Sequence, residues 1–460
     1  MILIAAVAVV AVVAVAAVVV MNNNGSDSSS DNGARVGEVI GEANFPNTDS
    51  RLWVYGNANE DDKIDDSDVT ALEKMVAGSL AKTQLADANA DGKIDNDDVS
   101  YLKKIINAKE STKLDVYYID NYFKIAKVSW PVKSIATSYC SGLYTAEATG
   151  LTEKLTMVDS TISTYWAHLN SYATKAESFG DTETPNYELM IKNNIDVYVP
   201  GYCDAKADVE SPEKLNPVGI DVMFMNTCDN SGVPYTNEYI DRSILMFGYL
   251  LQGDMEQCYE YLAWHDKILT EVEIAALTID EDDKGALIMS RNAPSYIDTG
   301  QYSLTGKGNT NMIHADWAGC YVVADHNASL PKNYNNLKTE DILKILKDTA
   351  EAGYTTVYWI DNEHDGLRGQ RDLDVTVASW EKELATAVPE MHYLGMAREA
   401  GNSPLYVIEM VFYMNVMHPG HIDLDFEEEF NYFIDHFTLE TSKYKSSMKM
   451  ENFFKDFAAE

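Results

Sequence analysis

Residues 185–201 read PNYELMIKNNIDVYVPG, a helical stretch that runs straight into a short apolar strand stopped by Pro200-Gly201. Runs of the same kind recur along the chain: SIATSY (134–139), DVYVPGY (196–202), DVMFMN (221–226), ALIMSRN (286–292) and TTVYWIDN (355–362). Each lies between helical stretches, and that alternation predicts parallel sheets covered by helices. Just before the first run, LDVYYIDNYFKIAKVSW (114–130) contains two alternating β-type segments around Asp120-Asn121, the mark of a hairpin. Between the third and fourth runs, Asn237 to about Ile279 reads as one unbroken helix through Leu245, Phe247, Leu250, Leu251, Tyr259, Leu262, Ile268 and Ile274. The polar run TIDEDDKG (278–285) ends it. A helix of that length joins two halves. The fold expected is therefore α/β, with two Rossmann-like lobes at 111–236 and 280–445, a spanning helix at 237–279 and a tail at 446–460.

Ahead of the lobes lies a repeat. GNANEDDKIDDSDVTALEKMV starts at Gly56 and ADANADGKIDNDDVSYLKKII at Ala86, in register at an offset of 30. Oxygen-bearing side chains fall at positions 1, 3, 5, 9 and 12 of each loop. They are Asn57, Asn59, Asp61, Asp65 and Asp68, then Asp87, Asn89, Asp91, Asp95 and Asp98. At position 7, Lys63 and Lys93 offer a backbone carbonyl. Ca²⁺ takes six to eight hard oxygens, and this spacing wraps a loop around one ion. Ile64 and Ile94 face a common core, and Val69, Leu72 and Val76, like Val99, Leu102 and Ile106, continue each loop as an amphipathic helix. Loop one has Asp62 where loop two has Gly92, and Asn57 where loop two has Asp87, so its site is expected to be the weaker.

Composition narrows the function. Of 460 residues, 46% are hydrophobic and 10% aromatic, enough for several cores. Lys plus Arg number 35 against 73 Asp plus Glu, a net charge of −38 that excludes nucleic acid as a partner. The five cysteines, Cys140, Cys203, Cys228, Cys258 and Cys320, form no CxxC pair and so no zinc ribbon, while leaving room for a Cys203–Cys228 bridge. Residues 1–21, MILIAAVAVVAVVAVAAVVVM, carry no charge and are long enough to span a bilayer. They lack the basic start and the A-x-A end of a cleaved signal, which favours an uncleaved membrane anchor. The stretch 22–33, NNNGSDSSSDNG, has no apolar residue, and with the residues up to 50 it makes a disordered tether. An anchored, extracytoplasmic protein at the cell surface is expected, and the sequons at Asn24 and Asn327 are compatible with export.

Two resemblances add to this reading. The segment 51–110 resembles a type I dockerin, a small all-α module that binds two calcium ions and docks to cohesin domains. At positions 10 and 11, where that family commonly has a small hydroxyl pair, this chain has Asp66-Ser67 and Asn96-Asp97. The rest, from about Val116 to Phe437, resembles the class III solute-binding proteins of ABC importers. The resemblance is carried by the opening hairpin, GLTEKLTMVD (150–159), PNYELMIKNNIDVYVPG, NPVGIDVMFM (216–225), DWAGCYVVAD (316–325), LKTEDILKILKDTAEAGYTTVYWID (337–361) and MHPGHI (417–422). It implies a metal chelate such as a siderophore, corrinoid or haem held between the lobes and delivered to an ABC permease. It also implies one docking carboxylate on top of each lobe, matched here by Glu188 and Asp316.

In doubly wound sheets ligands bind at the carboxyl ends of strands. The strand-end candidates are Tyr139 and Cys140, Gly201 and Tyr202, Arg291 and Asn292, and Asp361 and Asn362. Aromatics suit a flat macrocycle or aryl chelate, and Arg291 suits ligand carboxylates. The His314/His326 and His418/His421 pairs lack metal-ligand spacing or context. No GxSxG, HExxH, P-loop or GxGxxG is present in its expected setting, so binding without catalysis is expected. The alternative is a dockerin-borne carbohydrate hydrolase drawing carboxylates from DNEHDG (361–366) or DLDFEEEF (423–430), and a further one is a non-catalytic adhesion module.

Overall fold

The computed structural model describes residues 50–121, 123–201, 205–225, 237–290, 299–306, 309–326, 333–364, 373–384, 387, 390–447 and 454–457. The expected hairpin is present. β1 (Leu114–Ile119) pairs antiparallel with β2 (Ile125–Trp130), and the turn closes where Asp120 accepts from the Lys124 amide. The first lobe follows as β3 (Ile135–Thr137), β4 (Leu155–Val158), β5 (Glu177–Ser178), β6 (Val197–Val199) and β7 (Asp221–Val222), all parallel in the order β5-β4-β3-β6-β7. Strand order reverses at β3, the topological switch point at which doubly wound sheets open a crevice.

The second lobe is a mixed sheet of β8 (Ala286–Ser290), β9 (Tyr302–Thr305), β10 (Tyr321–Val322), β11 (Asn333–Leu337), β12 (Thr356–His364), β13 (Glu390–Ala397) and β14 (Phe454–Asp456). β8, β10, β12 and β13 run parallel; β14 pairs antiparallel with β13 at one edge, and at the other β9 pairs antiparallel with both β8 and β11. β14 lies in what reads from sequence as a separate tail at 446–460. Its pairing with β13 corrects that boundary, and Phe454, stacked 4.5 Å from Phe412, anchors it.

The connector is two helices rather than one unbroken element: Asn237–Leu250 and Met255–Ala276. Gln252 takes a left-handed φ of +57°, and a Cβ on Gly253 would come within 2.4 Å of the Thr149 carbonyl oxygen, so only glycine fits there. Asp254 caps the second helix by accepting from the Glu256 and Gln257 amides, and Lys154 Nζ donates to the carbonyls of Leu251 and Gln252 at the break. The Met255–Ala276 helix packs on the Tyr139–Ala148 helix of the first lobe and on the Thr310–Trp317 and Tyr406–Met417 helices of the second, so it is the element shared by both.

The repeat forms as expected, with helices Asp66–Val76 and Asn96–Ile106 after their loops. Ile64, Ile94, Leu72 and Leu102 share a small core. Its boundary at about residue 110 is nevertheless not a physical one. Leu52, Trp53, Val54, Tyr55, Leu85 and Ile105 belong to the same continuous core as both lobes. The Tyr55 amide donates to the Tyr117 carbonyl and the Ile119 amide to the Trp53 carbonyl, extending the hairpin sheet into the repeat. The Tyr259 hydroxyl of the connector donates to the Asp62 carbonyl of the first loop. Among the described residues no helix is long and apolar enough to cross a membrane, and the anchor and tether at 1–49 lie outside them.

One buried acid closes the lobes together. Glu147, on the Tyr139–Ala148 helix, accepts from Asn170 Nδ2, the Leu439 amide and the Tyr444 hydroxyl, and burial pushes its carboxyl up to about 7. Because the folded state holds this proton more tightly than the unfolded one, stability should fall as pH rises from about 4.5 to about 7. The loss is on the order of 3 kcal/mol for a shift of that size. Glu147→Gln should flatten the decline, read as the melting temperature against pH. An unchanged slope would show that the carboxyl titrates normally.

Candidate ligand cleft and calcium loops

The carboxyl ends of parallel strands from the two sheets meet, β3 of the first against β13 of the second. At the end of β3, Tyr139 adopts a left-handed φ of +64°, a strained conformation for a non-glycine residue and one found at functional turns. Asp159, at the end of β4, is buried and accepts from the Tyr139 and Ile162 amides and the Thr182 hydroxyl, which fixes the turn. Gly201, at the end of β6, brings its backbone so near β3 that a Cβ would lie 1.8 Å from the Ser138 carbonyl oxygen. Its amide donates to the Ser138 hydroxyl oxygen, and its carbonyl accepts from the Ser141 hydroxyl. A π-helical turn, Ile162–Trp166, then places Trp166 beside Tyr139, with Tyr165 against Trp166. The Trp166 ring meets Tyr139 edge-on at 6.1 Å.

Opposite these residues stands the end of β13. Arg398 is half-buried and hydrogen-bonded to Tyr139. Burial opposes its charge, yet Tyr139, Cys140 and Glu399 hold its pKa above the ordinary arginine value. Glu399 accepts from Trp166 Nε1, and Cys140 Sγ donates to the Asn402 carbonyl at 3.4 Å. The junction therefore combines a half-buried tyrosine and a half-buried guanidinium, backed by the fully buried Trp166 ring, so that Tyr139 and Arg398 are the groups suited to an anionic aromatic ligand.

The strand-end candidates are thus distributed unevenly. Tyr139 lies in the junction. Cys140 is fully buried as a lobe–lobe contact, and Asp361, 1% exposed, is held by the Ser290 hydroxyl at 3.0 Å. Tyr202, Arg291 and Asn292 lie outside the described residues, as do Cys203 and Cys228, whereas Cys140, Cys258 and Cys320 are buried and form no disulfide. Arg398, Trp166 and Asp159 are absent from the strand-end candidates. Arg398 had a signal, since HYLGMAR (392–398) is one more apolar run ending in a polar residue. Glu188 and Asp316 are both exposed, on the helices Tyr187–Lys192 and Thr310–Trp317. The acid run DLDFEEEF begins a helix capped by Asp425 with Phe430, Phe433 and Phe437 inward, which accounts for its charge without catalysis. His314 is buried against Glu409 at 2.9 Å, and His418 and His421 stand 6.3 Å apart by ring centre, so neither histidine pair gathers ligands.

In the repeat, the residues chosen for calcium line the two loops in register. Asp98 Oδ1 and Oδ2 accept from the Asn89 and Asp95 amides, and Asp68 does the same with Asn59 and Asp65. Asp87 receives the Asp91 and Gly92 amides, and Asp91 and Asp61 receive those of Lys93 and Lys63. Asn57 spends its Nδ2 on the Leu52 carbonyl, which turns its Oδ1 toward the loop. Burial pushes Asp87 up to about 7, with Asp98 and Asp91 adding repulsion, and it pushes Asp68 up to about 6. Buried carboxylates crowded in this way fit a hard cation. Asp62, at the position that favours glycine, takes a φ of +68°. Its side chain compensates by accepting from the Ser50 hydroxyl and the Arg51 and Leu52 amides.

No protein-family model matches the chain, and no curated protein sequence does. Solved structures do. A TroA-like periplasmic binding protein, FepB, from Veillonella parvula is similar over 74% of this chain and 99% of its own, with a TM-score of 0.58 at 14% identity. The fold is that of periplasmic binding proteins. An ABC transporter solute-binding protein from Sulfurospirillum deleyianum matches over 72% and 98% of the two chains with a TM-score of 0.53 at 12% identity. CeuE of Helicobacter pylori with Ni(II) bound matches over 74% and 100% with a TM-score of 0.51 at 13% identity. The periplasmic-binding-protein fold explains why the two lobes share a connecting helix and turn their strand ends toward each other.

Proposed function

We propose that this chain is the extracytoplasmic solute-binding component of an ABC importer, and that it captures a metal chelate between its lobes without catalysing a reaction. The observation that carries the reading is the junction of Tyr139 and Arg398, backed by Trp166, at the facing carboxyl ends of parallel strands from the two sheets. The Ni(II) bound to the H. pylori neighbour supports a metal-containing cargo. A siderophore, corrinoid or haem supplies the aromatic surface and acidic groups that this junction suits. The two loops of the repeat bind calcium, and the exposed Asp66, Ser67, Asn96 and Asp97 leave a surface for a cohesin-type partner. The test is titration of the full chain with haem, cobalamin and ferric catecholate and hydroxamate chelates, followed by tryptophan fluorescence and native mass spectrometry. One class should bind one-to-one and quench the emission. Binding of none would end the proposal.

Delivery requires docking. Glu188 and Asp316, exposed on different lobes, are the acids expected to meet arginines of a permease. Glu188→Gln and Asp316→Asn should each weaken complex formation with the permease several-fold, and together more so, while chelate affinity stays constant. The loss should shrink at high salt, where a Debye length of about 8 Å or less screens rim contacts. A lowered chelate affinity in either variant would place that acid in the cleft instead.

A further inference from the structure

Asp241, on the Asn237–Leu250 helix, and His265 and Asp266, on the Met255–Ala276 helix, bring three donor atoms together outside the candidate cleft and next to the first calcium loop, whose Asp62 shares Arg51 with the two aspartates. His265 Nδ1 lies 3.1 Å from Asp241 Oδ1 and 3.3 Å from Asp266 Oδ1, and all three atoms fall within 4.8 Å of one another. A first-row divalent ion about 2.0–2.2 Å from nitrogen and oxygen donors separates neighbouring ligands by roughly 3.0–3.5 Å, so these spacings suit the edges of a coordination polyhedron. The Asp241 side chain is 9% exposed, and its Oδ1 accepts no hydrogen bond although it faces the histidine.

The surroundings complete the geometry. The outer oxygens of both carboxylates turn to Arg51, 2.9 Å from Asp266 Oδ2 and 3.5 Å from Asp241 Oδ2, which orients the inner oxygens toward His265. His265 Nε2 contacts the Tyr406 hydroxyl, so the ring is fixed with Nδ1 facing the two acids. The Asp266 side chain is 43% exposed and leaves a route for an ion and its water. We propose that Asp241, His265 and Asp266 form a binding site for a first-row divalent transition-metal ion, represented by zinc. One imidazole and two carboxylates match the preferences of zinc or manganese, whereas calcium needs six to eight oxygens. Such an ion ties the two connector helices across their break.

The test uses the full chain saturated with calcium, so that the loops are filled, dialysed against limiting zinc and analysed for metal. One zinc per chain is expected. His265→Gln and Asp266→Asn should each weaken binding about tenfold or more, and the visible absorption of a cobalt(II)-loaded chain should disappear in His265→Gln. Asp266 is half-exposed, so Asp266→Asn keeps a folded chain, checked by its melting curve in calcium without zinc, even where His265→Gln destabilises the core. Failure of the unaltered chain to retain zinc, or equal retention by both variants, would overturn the site.

Discussion

Chelating calcium should lower the melting temperature of the full chain by about 5 °C or more, with the lobes melting together with the repeat. An ion at a hundredfold above its dissociation constant adds about 2.7 kcal/mol to a folded state, and the repeat holds two loops. The effect should reach the lobes because Leu52, Trp53, Val54, Tyr55 and Ile105 sit in their core. Asp98→Ala should reproduce much of the loss. Besides a buried loop acid, it removes the reciprocal cap in which Asp98 receives the Asp95 amide and Asp95 caps the Asn96–Ile106 helix, a contribution of about 1 kcal/mol by itself. Asn57→Ala should cost less in calcium dependence, since half of that amide already serves the Leu52 carbonyl. Identical melting curves with and without chelator would sink the calcium assignment.

Arg398→Ala should weaken chelate binding by about thirtyfold or more, the equivalent of roughly 2 kcal/mol for a charge-assisted hydrogen bond. Arg398 reaches Tyr139 across the junction, so its removal strips the pocket of its charge and frees the strained tyrosine turn. Tyr139→Phe should have a smaller effect, because the ring remains and only the hydroxyl is lost. Affinity is measured by fluorescence titration at constant salt, with a melting curve to show that each variant is folded. Unchanged affinity in Arg398→Ala would place the ligand elsewhere.

Most strands were legible because a fully covered parallel strand writes itself as an uninterrupted apolar run. SIATSY, DVYVPGY and ALIMSRN contain the observed β3, β6 and β8, and TTVYWIDN covers all of β12 but its last two residues. Short or edge strands carry no such mark: β5 is two residues, and β14 is a three-residue Phe-Lys-Asp run that takes its identity from pairing with β13. The connector misleads for a related reason. Its apolar periodicity continues through Leu250 and Leu251, while the break rests on Gly253 meeting the Thr149 carbonyl, a contact about a hundred residues away in sequence. The Gly-Asp pair at 253–254 was the local clue, glycine ending one helix and aspartate capping the next. In the junction, Tyr139 was legible as a strand end, and Arg398 was hidden because no strand was assigned before it. Asp241 and His265 lie on separate helices, so no spacing rule brings them together. Their meeting is a property of helix packing alone.

The Glu147 clasp also has a meaning for the order in which the molecule assembles. Its Leu439 partner enters 292 residues later in the sequence, and Tyr444 and the β14 strand later still. The first lobe therefore waits, with a buried glutamate short of donors, until a distant segment has emerged and wrapped back over it. A chain built this way favours a holding chaperone over lobe-by-lobe folding, and a proteolytic nick between 439 and 454 should loosen the lobe farthest from it along the chain.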